Sequence, residues 1–208
     1  MQIITKYKLT KIIDYIKKYD EIIILGKGPT FKIPDKKQIT FTICINDTIN
    51  QIDFCDMLVV NDIVTWERIN NNKIKNLKYI LTPLYPHYNI LPNPKKYNLN
   101  WTVSNLKKKG FEGNLIIYNL LSSKPDNKYV TLQSVISGSN NAIDFCISYF
   151  KNLKQISLYG VGIINKDKYN NIFEKTEGYY NYNNKYLERI RNHIVITCKD
   201  NNINVIFN

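Results

Sequence analysis

The chain has 208 residues, 44% of them hydrophobic and 22% charged, with 8 Gly, 7 Pro and 4 Cys, a composition that excludes collagen-like, disulfide-scaffold and wholly disordered classes. Lys and Arg outnumber Asp and Glu by 29 to 17, a net charge of +12; yet the only arginines are Arg68, Arg189 and Arg191, and base readout prefers the arginine fork, so nucleic acid is not the expected partner and a phosphate-bearing small molecule is. No apolar run approaches the ~20 residues of a membrane helix and Met1–Lys11 lacks a signal-peptide core, so a soluble, cytoplasmic chain folding as one domain over residues 1–208 is expected.

Leu9–Tyr19 places Leu9, Ile12, Ile13 and Ile16 at helical spacing and predicts an amphipathic helix. Glu21–Leu25 is a short β-branched run stopped by Gly26, the pattern of a strand buried on both faces. Strands are predicted likewise at Thr40–Ile45, Met57–Val60, Lys78–Leu81, Leu115–Tyr118, Gln155–Tyr159 and Asn204–Phe207. Helices are predicted between them at Ile63–Ile69, Val103–Lys109, Asn140–Phe150 and Tyr186–Lys199. The alternation predicts an α/β fold: a doubly wound, mostly parallel, Rossmann-like sheet. Pro83–Pro94 holds four prolines in twelve positions, which forbids helix and strand interiors, and is expected to be a surface excursion. Ile163–Asn184 is polar and tyrosine-rich without clear period, and is expected to act as a lid that orders over a ligand.

Cys44, Cys55, Cys146 and Cys198 form no C-x-x-C pair and each sits in an apolar block, which predicts buried reduced thiols and no zinc site. The abundance of Lys, Asn, Ile and Tyr matches codon usage in an A/T-rich genome.

Three segments are candidates for chemistry. Gly26-Lys27-Gly28-Pro29-Thr30 follows the first buried strand, where parallel α/β sheets form their ligand crevice; glycines there let backbone amides approach a phosphate, and Thr30 adds a hydroxyl. Gly28→Val is therefore expected to abolish nucleotide binding and leave the unliganded fold intact. Asn46, at the end of the next strand, could read a base or ribose edge. Asp47, Asp56 and Asp62 could hold Mg²⁺ on a diphosphate, although Asp47 and Asp62 suit helix caps better. Ser137, Gly138 and Ser139 precede the helix Asn140–Phe150 and predict a second anion site at its N-terminus.

The sequence LGKGPTF after the first strand, CIN after the second, ISG before a helix and KNLKQISLYGVG together resemble the bacterial CMP-sialic-acid-dependent sialyltransferases. They are also similar to the MptE-like group, which includes 6-hydroxymethylpterin pyrophosphokinases. The resemblance covers Glu21–Asn46 and Val135–Gly162. It implies that Gly26, Gly28, Pro29 and Thr30 cradle the CMP part of a nucleotide sugar, with Asn46 near the phosphate and ribose, Ser137 and Gly138 on the donor, and Gly160 on the base. It implies that Tyr169 supports the departing phosphate. Gly162 stands where that family carries an acidic residue, and its lid histidine has no counterpart in Gly178–Arg189, which leaves a tyrosine or Glu177 as base; His193 is expected to be structural. A glycosyltransferase-like activity without a metal cofactor is thus expected. The alternatives are a Mg²⁺-dependent pyrophosphokinase and a nucleotide-binding protein without catalysis.

Overall fold

The computed structural model describes residues 1–16, 18–35, 40–88, 91–92, 96–120, 126–132, 137–162 and 184–208. In chain order its elements are β1 (Gln2–Ile4), α1 (Lys6–Ile16), β2 (Glu21–Leu25), β3 (Thr40–Ile45), a 3₁₀ turn (Asn46–Gln51), β4 (Met57–Val59), α2 (Ile63–Arg68), α3 (Asn71–Lys75) and β5 (Tyr79–Pro83). There follow β6 (His87–Tyr88), β7 (Leu91–Pro92), α4 (Leu99–Lys108), β8 (Asn114–Leu120), β9 (Val130–Leu132), α5 (Gly138–Tyr149), β10 (Gln155–Tyr159), α6 (Asn184–Asp200) and β11 (Asn204–Phe207).

Among the described residues, nine strands form one sheet in the order β1-β8-β5-β4-β3-β2-β10-β11, with β9 continuing the β1 edge along β8. Every pairing in it is parallel. Parallel strands need a covering layer on each face, because their apolar residues point both ways. Ile22, Ile24, Phe41, Ile43, Ile156 and Leu158 pack on one face beneath α1, α5 and α6, which contribute Ile13, Phe145 and Ile194. Ile23, Leu25, Leu58, Ile80 and Ile117 pack on the other face beneath the 3₁₀ turn, α2, α3 and α4, which contribute Ile49, Trp66, Ile74 and Leu106. The fold is therefore the doubly wound α/β arrangement expected from the sequence.

From β2 the chain adds β3, β4, β5 and β8 to one side, and only later sets β10 against the other edge of β2. The winding direction reverses between β2 and β10, and in open α/β sheets a crevice forms beyond the strand C-termini at such a point.

Two expectations need correction. The proline-rich segment is not wholly a surface excursion: Pro83 is buried and closes β5 as the last paired residue beside Tyr118, and His87–Tyr88 pairs antiparallel with Leu91–Pro92. Proline is tolerated at such edges and ends because no ladder donor is required there. Asp56 does not reach the crevice, since it precedes β4 and accepts from the Thr42 amide at 2.9 Å, at the opposite end of the sheet. Among the described residues, no helix is long and apolar enough to cross a membrane.

Candidate functional site

The loops that follow β2 and β10 meet backbone to backbone. The Gly26 amide donates to the Tyr159 carbonyl at 2.8 Å, and the Gly28 amide to the Gly160 carbonyl at 2.7 Å. Thr30 closes the arrangement, its hydroxyl accepting from the Gly160 amide at 3.2 Å. A Cβ on Gly26 or on Gly28 would lie 2.6 Å from the Gly160 carbonyl oxygen, and one on Gly160 would lie 2.4 Å from the Gly26 oxygen. Gly160 also adopts φ +67°, the left-handed region that side chains disfavour.

These glycines thus join two loops at the switch point. This overturns the expectation that Gly28 is free to give its amide to a ligand and to accept valine in an intact fold: that amide is already bonded, and the side chain would strike backbone. Gly26, Gly28 and Gly160 do line a cleft, together with Lys27, Ile45, Asn46, Ser137, Gly138, Ser139, Val161, Gly162, and the α6 residues Leu187 and Ile190.

Asn46 opens the 3₁₀ turn with φ +60°, a conformation asparagine tolerates better than most residues. Its Oδ1 is buried and has no hydrogen-bond partner among the described residues. Behind it, Thr48 donates to the carbonyls of Ile45 at 2.8 Å and Leu25 at 3.2 Å, tying the turn to β2.

Ser137 caps α5: its Oγ accepts from the Asn140 amide at 3.2 Å, donates to Asn140 Oδ1 and lies 2.8 Å from Ser139 Oγ. The start of α5 leans on the sheet, where a Cβ on Gly138 would come within 3.2 Å of Ile45 Cγ2. Beneath it the fully buried Tyr118 hydroxyl donates to Asn61 Oδ1 at 2.6 Å and accepts from Asn141 Nδ2 at 3.0 Å. The first amides of any helix have no intrahelical acceptor and carry partial positive charge. Those of α5 stand at the cleft, since Gly138 and Ser139 line it.

Helix α6 forms the remaining wall. Asn140 Nδ2 donates to the Ile190 carbonyl at 3.3 Å, and His193 Nε2 lies 3.3 Å from the carboxylate of the buried Asp144 on α5, giving the histidine its expected structural place. Arg191 donates to the Gly162 carbonyl at 3.2 Å and stacks on Phe207, 3.9 Å from the ring centre. Gly162 has φ +67°, so backbone geometry favours glycine where an acidic residue would fit the sialyltransferase pattern.

Two acidic residues near the cleft are engaged locally. Asp62 caps α2 by accepting from the Val64 amide at 3.0 Å, and burial raises its pKa against the opposing pull of that hydrogen bond and of Lys27 and Arg68. Asp47 forms an ion pair with Lys27 at 2.5 Å, with side-chain exposures of 10% and 8%. With Asp56 at the far end of the sheet, the three aspartates assigned to Mg²⁺ occupy three separate roles.

Of the predicted site residues, the structure brings together Gly26, Lys27, Gly28, Asn46, Ser137, Gly138, Ser139 and Gly160. Pro29, Thr30 and Asp62 are adjacent but do not line the cleft. Tyr169, Glu177 and the segment 163–183 lie outside the described residues. The ion pair and the α6 wall were not anticipated. For the wall the signal was available: Leu187, Ile190 and Ile194 follow helical spacing immediately after the presumed lid.

No family model, curated protein or solved structure matches the chain.

Proposed function

We propose that this cleft binds a nucleotide through its phosphate, with a CMP-activated sugar as the favoured ligand, and that the protein is a glycosyltransferase-like enzyme. The observation that carries the reading is the meeting, where the winding of the sheet reverses, of the β2 and β10 loops, Asn46 and the capped N-terminus of α5. A helix N-terminus suits a phosphate. The buried Oδ1 of Asn46, unpartnered among the described residues, suits a donor such as a sugar hydroxyl. Leu187, Ile190 and Val161 give the opposite wall apolar surface against which a base or sugar ring can pack.

The choice of CMP and of sugar transfer rests on the sequence resemblance. In that reading Tyr169 supports the departing phosphate and Glu177 or a tyrosine serves as base. General-base assistance is worth about 10²–10⁴-fold, so transfer without the histidine would be slow.

Thermal unfolding with CMP, CDP, UDP, ATP and GTP, each with Mg²⁺ and with EDTA, tests the proposal. Cytidine nucleotides should stabilise the protein equally in EDTA, by about 2.7 kcal/mol at a hundredfold excess over Kd. Stabilisation by ATP only with Mg²⁺ would favour the pyrophosphokinase instead, and no stabilisation by any nucleotide would refute the nucleotide site. For the transfer step, Tyr169→Phe should lower kcat much more than nucleotide affinity; stabilisation without turnover would make the chain a binding protein.

A further inference from the structure

Among the described residues that line the cleft, Lys27 is the one with a charged side chain. It is nine-tenths buried, and its ammonium lies 2.5 Å from the carboxylate of Asp47, which is also buried and does not line the cleft. The pair therefore joins a residue of the cleft lining to a carboxylate that lies outside it. A buried ion pair adds little net stability, because desolvating both charges offsets their attraction. Fold strength alone is thus a poor account of a charged pair placed here.

An ammonium carries three donors and a full positive charge, so it can hold a carboxylate and still attract a second anion. The start of α5, with Ser139 and Gly138, borders the same cleft. Asp62, capping α2, is the second carboxylate within electrostatic reach of Lys27. An anion entering the cleft therefore meets the field of Lys27 reduced by the carboxylate of Asp47 beside it.

Resting on the nucleotide-site reading above, we propose that Lys27 is the phosphate contact of the cleft and that Asp47 is a built-in competitor which holds its anion affinity down. The ligand class is a phosphoryl anion, either free or carried on a nucleotide. Phosphate oxygens take a donor from Lys27 while Asp47 keeps the ammonium in position, and the affinity left is low enough for the phosphate-bearing product to leave.

The test titrates the wild type, Asp47→Asn and the double variant Lys27→Met with Asp47→Leu, using inorganic pyrophosphate and CMP by calorimetry at constant ionic strength. Circular dichroism establishes that each protein is folded. Removing a charge a few ångströms from the anion should tighten binding about tenfold in Asp47→Asn. The double variant replaces the pair by apolar side chains, a change that commonly preserves stability, and should bind both ligands at least about tenfold more weakly, in line with loss of a charge-assisted contact. If Asp47→Asn does not fold, the double variant decides. Unchanged or weaker binding in folded Asp47→Asn, or wild-type affinity in the double variant, overturns the role of the pair and leaves the nucleotide site standing. A wild type that binds neither pyrophosphate nor CMP overturns both. Response to CMP alone would place the phosphoryl contact on a nucleotide; response to pyrophosphate alone would place it on a free anion.

Discussion

Gly160→Ala isolates the junction between the β2 and β10 loops. At φ +67° the left-handed backbone costs alanine about 1–2 kcal/mol. The new Cβ would lie 2.4 Å from the Gly26 carbonyl oxygen and 2.9 Å from the Gly28 amide nitrogen. Both atoms are backbone, so no side chain can swing aside and the loops must separate. Separation weakens the Gly28-to-Gly160 bond at 2.7 Å and the Gly160-to-Thr30 bond at 3.2 Å, each worth about 1 kcal/mol net. The expected loss is about 3–4 kcal/mol, a large part of the ~5–15 kcal/mol that holds a domain folded. Urea unfolding followed by circular dichroism and tryptophan fluorescence reads it as a lower midpoint at unchanged slope. Gly138→Ala is the control, because its Cβ would meet side chains and no backbone, nearest the Ile45 Cγ2 methyl at 3.2 Å, and its change should stay within about 1 kcal/mol. A loss below about 1 kcal/mol for Gly160→Ala, or equal losses for the two variants, would refute the close packing of these loops.

Tyr118→Phe removes the hydroxyl that joins Asn61 and Asn141 and should cost about 1–3 kcal/mol by leaving buried polar groups unsatisfied; a neutral result in urea unfolding would show that the bridge is dispensable. Burial raises the Asp62 pKa above 3.8, so the native state holds a proton that the unfolded chain has lost, and this group's contribution to stability falls as pH rises through that window. Asp62→Asn keeps the α2 cap and should flatten that fall, whereas Asp62→Ala should lose about 1 kcal/mol with the cap; an unchanged pH profile in Asp62→Asn would count against the shift. Burial, and next the charge of Asp144, pushes the Cys198 thiol up to about 11, so the native state keeps its proton above 9.0 and stability should decline from there towards pH 11. Cys146 is raised by burial in the same way, and at pH 8 a disulfide-exchange reagent should modify Cys146 and Cys198 only as fast as the protein opens; rapid modification of the native protein would contradict their burial.

The central sheet was legible because β2 is an apolar run after Glu21, and β3 and β10 are mostly apolar with small polar residues between, a pattern that strands buried on both faces impose. Gln2–Ile4 and Val130–Leu132 escaped notice because three residues carry no usable period, and only the partner strand β8 makes them strands. The helix starts were placed late for a similar reason. Asn98 and Ser137 cap α4 and α5 ahead of the apolar periodicity by which those helices are recognised. In the cleft, Asn46 and Ser137–Ser139 could be found because small polar residues following a strand or opening a helix have local causes. The Lys27–Asp47 pair could not be, since it joins two segments 20 positions apart whose proximity depends on the pairing of β2 with β3.

The glycines show why a motif and its role can separate. A Gly-Lys-Gly-Pro-Thr loop after a buried strand invites the idea of a phosphate cradle, since a missing side chain leaves backbone amides open. Here the space is filled by Gly160, and the Gly28 amide is bonded within the protein. A residue with a Cβ at Gly26, Gly28 or Gly160 would spread the loops at the point where the winding reverses. The glycines therefore set the floor of the cleft, and ligand contacts fall to the groups above it: Lys27, Asn46 and the start of α5. The remaining wall is α6, held to α5 by Asn140 and His193 and to the β10 loop by Arg191. Because Leu187 and Ile190 lie within the first two turns of α6, any shift of that helix changes the width of the cleft while its glycine floor stays fixed. Ligand selectivity should accordingly respond to substitutions at Leu187 and Ile190, and stability to those at the glycines.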